Sequence, residues 1–479
     1  MLRLRLRGDI RNLDPCHITG PNDEYPVRVV YEGLIRFIPG TNNFENILAQ
    51  EFEIRSDVEI YFKLREGIQF QRGYGEVTAE DVKWSLERHI DPETASAYAG
   101  DWKTLSHVEI LNRYEGIIHL TAPLASLMTN TLPYSSGTVV CKAHFDAVGK
   151  DAFAIDPVGT GPYEFIEWRP SERVILRRNP GYWGNPSYYE EIQLVPIPDD
   201  TVAELALESG EIDYSGVPLS SKARFENMPG FNVYVLQGAR YAWVGMNMEN
   251  PKLQDINVRQ AIRYGIDVDS ILAAAYDGAA PRARAAIPEG RIGYWADAPL
   301  YEHDVAKARE FMALAGLESL DLTLAIENTL EWSTWAQVIQ ANLAEIGINV
   351  TIDAMDGAGF WSIGDGDKGL DVELFCISYS AAGEPSWYTT WFVQEQVGVW
   401  NWMRWRSPEF DALDALGLQT MNPADRNPIY IEAQKLWDEA CNSVWITHTV
   451  SVSVYKDTIQ PVYSLGTEIP VLRDFRPAN

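Results

Sequence analysis

Cysteine is scarce in this chain of 479 residues, and the four present, Cys16, Cys141, Cys376 and Cys441, stand far apart with no CxxC pair and no zinc spacing. One or two disulfides could form from them and none is implied. The seven histidines, His17, His89, His107, His119, His144, His303 and His448, are equally dispersed. With no HExxH and no His-x-His pair, no metal centre and no metalloenzyme is expected. Cationic side chains are few as well: 39 Lys and Arg face 68 Asp and Glu, a formal charge of −29. Such a field repels nucleic acid and anionic lipid, so neither is expected as a partner. No apolar stretch approaches the roughly 18 residues that span a bilayer. No apolar block follows Met1 either, because LRLRLRGDI alternates from the start, a strand pattern. The expectation is a chain without a secretion signal of its own, either cytosolic or a mature form carrying an added Met.

What is present is ordinary for a folded protein: 46% apolar and 22% charged residues. At this length two or three lobes are expected, with a large buried core. The first 75 residues offer three strand-like runs, LRLRLR, VRVVYEGLIRF and VEIYFKLREGIQF. Thr78-Ala79-Glu80-Asp81 has the pattern that opens a helix, and Asp91-Pro92 closes that segment before the strands VEIL and GIIHLTA. From about residue 240 the grammar changes. Asp255 and Asp304 each cap a helix, and the strand LDLTLAI, a helix over 332–346, a stop at Gly347 and the strand INVTIDA read as a right-handed parallel unit. The second lobe therefore reads as α/β and the first as richer in antiparallel sheet. There is no internal repeat and no low-complexity linker.

One stretch, DPVGTGPYEFIEWRPSERVILRRNPGYWG at 156–184, contains a Gly-x-Gly. It is not a phosphate loop, because Pro162 removes a backbone donor and no Lys-Ser or Lys-Thr follows. It reads as a hairpin: Gly159, Gly161 and Pro162 turn, Tyr163 to Trp168 run out, Arg169-Pro170-Ser171 turn again, and Val174-Ile175-Leu176 return.

That hairpin resembles the signature segment of the extracytoplasmic solute-binding proteins of ABC importers, in the peptide/nickel-binding family. The resemblance continues, in the family's order, through IYFKLREGIQFQRGYGEVTAEDVKWSLER, DINVRQAIRYGIDVDSILAAAYDGAA, HDVAKAREFMALAG and LAEIGINVTIDAM. It implies an α/β, two-lobe periplasmic-binding-protein fold of type II, with an extra subdomain in lobe one. The expected division is 1–36, 156–238 and 453–479 for lobe one, 37–155 for the appended subdomain and 239–452 for lobe two. It also implies a periplasmic monomer without a cofactor, lobes that close over a small-molecule solute by a hinge, and a membrane permease that reads the closed state.

Peptide binders of the family hold the ligand's ammonium group with an Asp, and the matching stretch here is Ser378-Tyr379-Ser380-Ala381-Ala382-Gly383-Glu384-Pro385. The anchoring position falls at about Ala381, which has no carboxylate. Glu384 could substitute, but its place in the family pattern is a turn. Eight of the sixteen tryptophans lie between 331 and 405: Trp332, Trp335, Trp361, Trp387, Trp391, Trp400, Trp402 and Trp405. Aromatics commonly fill cores, yet such a group also offers flat faces to sugars, cationic heads and extended polar ligands. From the resemblance, Trp361, Trp387, Trp391 and Trp243 are candidate ligand contacts in lobe two, and His17, Thr19, Tyr25 and Tyr98 in lobe one. Arg404 is a candidate for a ligand carboxylate.

The ligand expected is peptide-sized and polar: a modified peptide, an opine-like conjugate or a short oligosaccharide. An ordinary di- or tripeptide is the alternative. A soluble hydrolase using Asp23, Glu24 or Glu384 is the rival of another class, but no GxSxG elbow, no metal spacing and no matched acid/base pair supports it, so no catalytic residue is expected.

Overall fold

The opening LRLRL is the strand Leu2–Leu6, and its alternation is buried on both sides. Leu2, Leu4 and Leu6 enter an apolar core, while the arginines between them are held by fixed partners. Arg3 pairs with Asp213, and Arg5 donates to the Ile197 carbonyl and to Asp200, each at 2.7 Å. A charge can be buried at this cost only when its donors are met.

The computed structural model describes residues 1–479 except Thr19, Asn42, Ala381, Ala382, 465–468 and Asn479, and describes no side chain at 237–239 or 358. The chain divides into two compact units, Met1–Leu236 with Ser451–Asn479, and Gln237–Val450. No helix among the described residues is long and apolar enough to cross a membrane.

In unit one, the strands Tyr163–Arg169, Arg173–Arg178, Glu191–Pro196, Leu2–Leu6 and Tyr214–Val217 lie side by side in that order. Leu2–Leu6 runs parallel to Glu191–Pro196, and Val452 to Tyr455 close the far side antiparallel to Tyr214–Val217. The 156–184 hairpin forms as the sequence predicts. Its glycines serve close approach: a Cβ on Gly159 would meet the Val30 carbonyl oxygen at 2.1 Å, and one on Gly161 the Val29 oxygen at 2.3 Å.

A separate four-stranded antiparallel sheet, in the order Ala49–Ser56, Glu59–Leu64, Glu115–Leu120, Leu105–Asn112, carries the helix Ala79–Glu87. The Thr78 N–H donates to the Asp81 carboxylate at 3.0 Å, as the capping pattern requires. The expectation of a strand at VRVV is corrected. Residues Pro21–Val30 are a helix, opened by Pro21 in its first turn with Asp23 and Glu24 beside it, and Val27, Val29 and Val30 are buried. Tertiary burial and a favourable first turn outweigh the β preference of valine.

In unit two, residues Arg240 to Met246 pair antiparallel with Leu374–Ser380. Leu320–Glu327 lies parallel to Ile348–Met355 and, at Leu324 and Ala325, to Leu374–Ser380. The predicted strand-helix-strand unit is present, its helix spanning Leu330–Ala344 with Thr329 as its cap. Period-2 alternation sorts the side chains. Ala242, Val244, Met246, Leu322, Leu324, Ile326, Leu374 and Cys376 join an aliphatic core with Val258, Ile262, Met312, Ile339 and Leu343 from the helices. Tyr241, Trp243, Phe375, Ile377 and Tyr379 join an aromatic cluster with Tyr388, Phe392, Trp402, Trp405, Phe410 and Trp437.

All four cysteines are buried and unpaired. Burial pushes the Cys141 and Cys441 thiols up to about 11, so they stay protonated.

Candidate ligand-binding site

The aromatic cluster of unit two does not close completely. A cavity of about 310 Å³ remains, lined by Arg240, Trp361, Ser378, Tyr379, Ser380, Trp387, Trp391 and Trp400. That volume is at the lower end of the roughly 300–1,000 Å³ of small-molecule sites. Trp361 and Trp400 are 37% and 40% exposed, unusual for rings of this size, and Trp387 and Trp391 are half-buried. The rings brace one another: Trp387 and Trp391 meet edge to face at 5.7 Å, Trp391 and Trp400 at 5.9 Å, and Trp361 stacks on Tyr379 at 6.2 Å. The Tyr379 hydroxyl donates to the Trp400 carbonyl at 2.6 Å. Burial raises the Tyr379 phenol well above its usual range, so it remains a donor.

Each wall residue is held by local chemistry. Trp361 lies in the short helix Gly357–Ser362, where the Asp356 carboxylate accepts from the Gly359 N–H at 2.7 Å. Trp387 lies in the tight turn Pro385–Tyr388, opened by Glu384 and Pro385, with the Glu384 carboxylate accepting from the Ser386 N–H. Glu384 is wholly buried and forms a two-pronged pair with the equally buried Arg426. Burial works against the Arg426 cation, and Glu384 outweighs it. Next along, the Thr389 and Thr390 hydroxyls donate to Asp414. Burial pushes the Asp414 carboxyl up to about 6 in spite of these hydrogen bonds, and the Glu384 charge adds to the rise. Asn401, fully buried, donates to the Phe392 and Trp405 carbonyls at 2.8 Å each and so ties Trp400 to the end of this loop. Gly364 leaves room for Trp402, whose indole nitrogen would lie 2.1 Å from a Cβ there.

Of the sequence-predicted site residues, the structure brings Trp361, Trp387 and Trp391 together around one cavity. Trp243 is corrected: it is 1% exposed inside the aromatic cluster, so its ring packs where a solvent-borne ligand does not reach. Arg404 is corrected too. It is 8% exposed, its guanidinium pairs with Glu249 and donates to the Gly366 carbonyl, and its charge is already met. Glu384 is likewise occupied, by Arg426.

In unit one, His17 meets the Thr94 carbonyl at 2.8 Å and Asp14 at 3.4 Å, and the Asp14 contact raises its pKa. The Tyr98 hydroxyl donates to the Ile18 carbonyl. Tyr25 lines a smaller cavity of about 100 Å³ with Arg28, Tyr134 and Arg473. Thr19 and the anchor position Ala381 lie outside the described residues. Trp400 and Arg240 were missed as site residues. Trp400 stood in the counted tryptophan group, but nothing in the chain pattern separates it from Trp402, which is 2% exposed. Arg240 carries no motif signal, and only the strand pairing that sets it opposite Ser380 reveals it.

The family description "Bacterial extracellular solute-binding proteins, family 5 Middle" fits residues 43–398, well over half of the chain. The chain belongs to this family. As a family 5 protein it is a solute-binding receptor of an ABC importer, for peptides or similar solutes. The family consists of extracytoplasmic substrate-binding proteins rather than enzymes. Among its relatives, this family 5 chain is 27% identical over 454 residues to the glutathione-binding protein GsiB of Shigella dysenteriae, covering 92% of this chain and 86% of the relative. The two-lobe binding-protein fold is that of HbpA2 from Haemophilus parasuis, with a TM-score of 0.90 at 22% identity over 100% of both chains. The periplasmic binding protein DppA from Helicobacter pylori, solved with the peptide STSA, superposes with a TM-score of 0.78 at 25% identity, covering 99% of this chain and 98% of that one.

Proposed function

We propose that this receptor captures a peptide-sized polar solute of modified-peptide type against the tryptophan wall of unit two, outside the cytoplasm, and delivers it to its ABC permease. The observation that carries the reading is a cavity lined by four tryptophans of which none is fully buried, with no carboxylate among the described residues of its lining. Indole faces contribute roughly 1–3 kcal/mol per stacked or cationic group. A free ammonium brought there would meet no anion in the lining, which disfavours a peptide held by its N-terminus at this wall. Similarity to a glutathione-binding protein supports the modified-peptide class, and similarity to a protein solved with an ordinary peptide keeps short peptides as the second reading.

The test is a titration followed by tryptophan fluorescence, with glutathione and trialanine as probes. The expected result is tighter binding of glutathione, weakened about tenfold or more by each of Trp361→Ala, Trp387→Ala and Trp391→Ala while far-UV circular dichroism stays the same. Unchanged affinity in all three variants would remove the cavity from the site, and a preference for trialanine would replace the modified-peptide class with ordinary peptides.

A further inference from the structure

Among the described residues that line the cavity, Arg240 alone carries a charge. Arg240 is exposed, lines the cavity, and makes no ion pair and no side-chain hydrogen bond with any described residue. The other lining residues are tryptophan, tyrosine and serine, and the chain after Ser380 continues with two alanines. In a protein of net charge −29, several arginines of the same unit are already held by carboxylates, Arg404 and Arg406 by Glu249, Arg426 by Glu384, and Arg282 by Asp269 and Glu302, whereas Arg240 lines the cavity with its charge unengaged. Its backbone is fixed, because Arg240 sits in register opposite Ser380 on the strand that also carries Tyr379. Arg240 thus joins the lining of the tryptophan-walled space from a strand position fixed by pairing.

We propose that Arg240 receives a carboxylate of the bound solute, so that the ligand's anionic end, rather than its ammonium, lies at the tryptophan wall. A guanidinium holds a carboxylate with two parallel N–H donors, and its strength grows where aromatic walls exclude water. Ser378 and Ser380, also in the lining, offer neutral hydroxyl donors. The chemistry recognised is the carboxylate itself, whether it ends a peptide or belongs to an amino-acid conjugate. This inference rests on the cavity being the binding site.

The test compares the full chain with Arg240→Gln and Arg240→Lys, using glutathione, trialanine and octopine as carboxylate probes and the corresponding amides or esters as neutral ones. The wild type binds at least one carboxylate probe, and its neutral counterpart about tenfold or more weaker. Arg240→Gln lowers affinity for the carboxylate probe by a similar factor and leaves the neutral probe unaffected, while Arg240→Lys recovers part of the loss. Arg240 is exposed, so its variants keep the wild-type melting temperature. If Arg240→Gln binds the carboxylate probe as tightly as the wild type while Trp391→Ala does not, the charge assignment is overturned and the cavity stands. If both bind as the wild type does, the cavity reading itself falls. Failure of every carboxylate probe to bind the wild type overturns the assignment of a carboxylate.

Discussion

The two faces of the sheet in unit two are built from the same strands and behave differently. One face meets helices through Ala242, Val244 and Leu324, packed against Ile339 and Leu343 of a helix, all residues without polar atoms in their side chains, and it closes. The other meets turns and loops through Tyr241, Trp243, Phe375 and Tyr379, and it leaves a cavity of about 310 Å³. Branched aliphatic side chains interdigitate to the density of a crystal, whereas large flat rings meet edge to face and need polar scaffolding to fix their tilt. The aromatic face accordingly contains the Arg426–Glu384 pair, Asp414 with two threonines, and Asn401. A sheet can thus devote one face to stability and the other to a shaped opening.

The comparison breaks most severely at the ion pair. Glu384→Ala leaves the Arg426 guanidinium buried without its anion, and the expected cost is about 3–5 kcal/mol. The turn carrying Trp387 loses its cap at the same time, so urea unfolding shows a lower midpoint and tryptophan emission shifts as the wall loosens. An unshifted midpoint would mean that the polar scaffold is dispensable.

On the aliphatic face, Ile339→Ala removes a wholly buried side chain. The expected loss is about 2–4 kcal/mol, the range for such cavities. Ligand affinity, measured by the same titration, stays unchanged, because the two faces share a sheet but not a surface. A matching loss of affinity would show that the faces are coupled.

The smallest of the three effects is a pH dependence confined to the aromatic face. Asp414 titrates at about 6 in the folded chain, above the ordinary 3.8, so folding favours its protonated form. That contribution is fully present below about pH 4 and is lost as pH rises through 6, a change of up to roughly 3 kcal/mol. In unit one Asp14 has the opposite sign: burial raises its pKa, but hydrogen bonds from His17 and Arg88 outweigh burial and lower it, so its contribution is present above pH 4 and lost in acid. His17 also titrates upward, which makes the wild-type curve composite. The measurement is therefore the difference between the wild type and Asp414→Asn from pH 4 to 8. The variant gains relative stability across that window, and a flat difference would place the Asp414 pKa at its ordinary value.

Much of the architecture was legible because it is written in local patterns. Alternation in LRLRL, the caps at Thr78, Asp255 and Asp304, and the strand-helix-strand spacing of 320–354 each correspond to an element in the structure. The 27–30 run misled because valine preference is weak against a buried helix face. At the site, the tryptophan count between 331 and 405 pointed to the right region but could not sort its members. Trp332 and Trp335 belong to the aliphatic core, Trp402 and Trp405 to the closed part of the aromatic cluster, and only Trp361, Trp387, Trp391 and Trp400 reach the cavity.

By itself the sequence determined the family, the element types and the loss of a carboxylate at Ala381, because motif order, capping residues and residue identity are properties of the chain alone. Tertiary structure decided which charges are taken and which are free. Arg404 and Glu384 read as ligand groups until Glu249 and Arg426, distant in sequence, occupy them, while Arg240 carries no signal until the fold brings it into the lining of the tryptophan cavity. An ionic side chain's role depends on what lies within a few ångströms of it, and for residues far apart in the chain only the fold sets that distance.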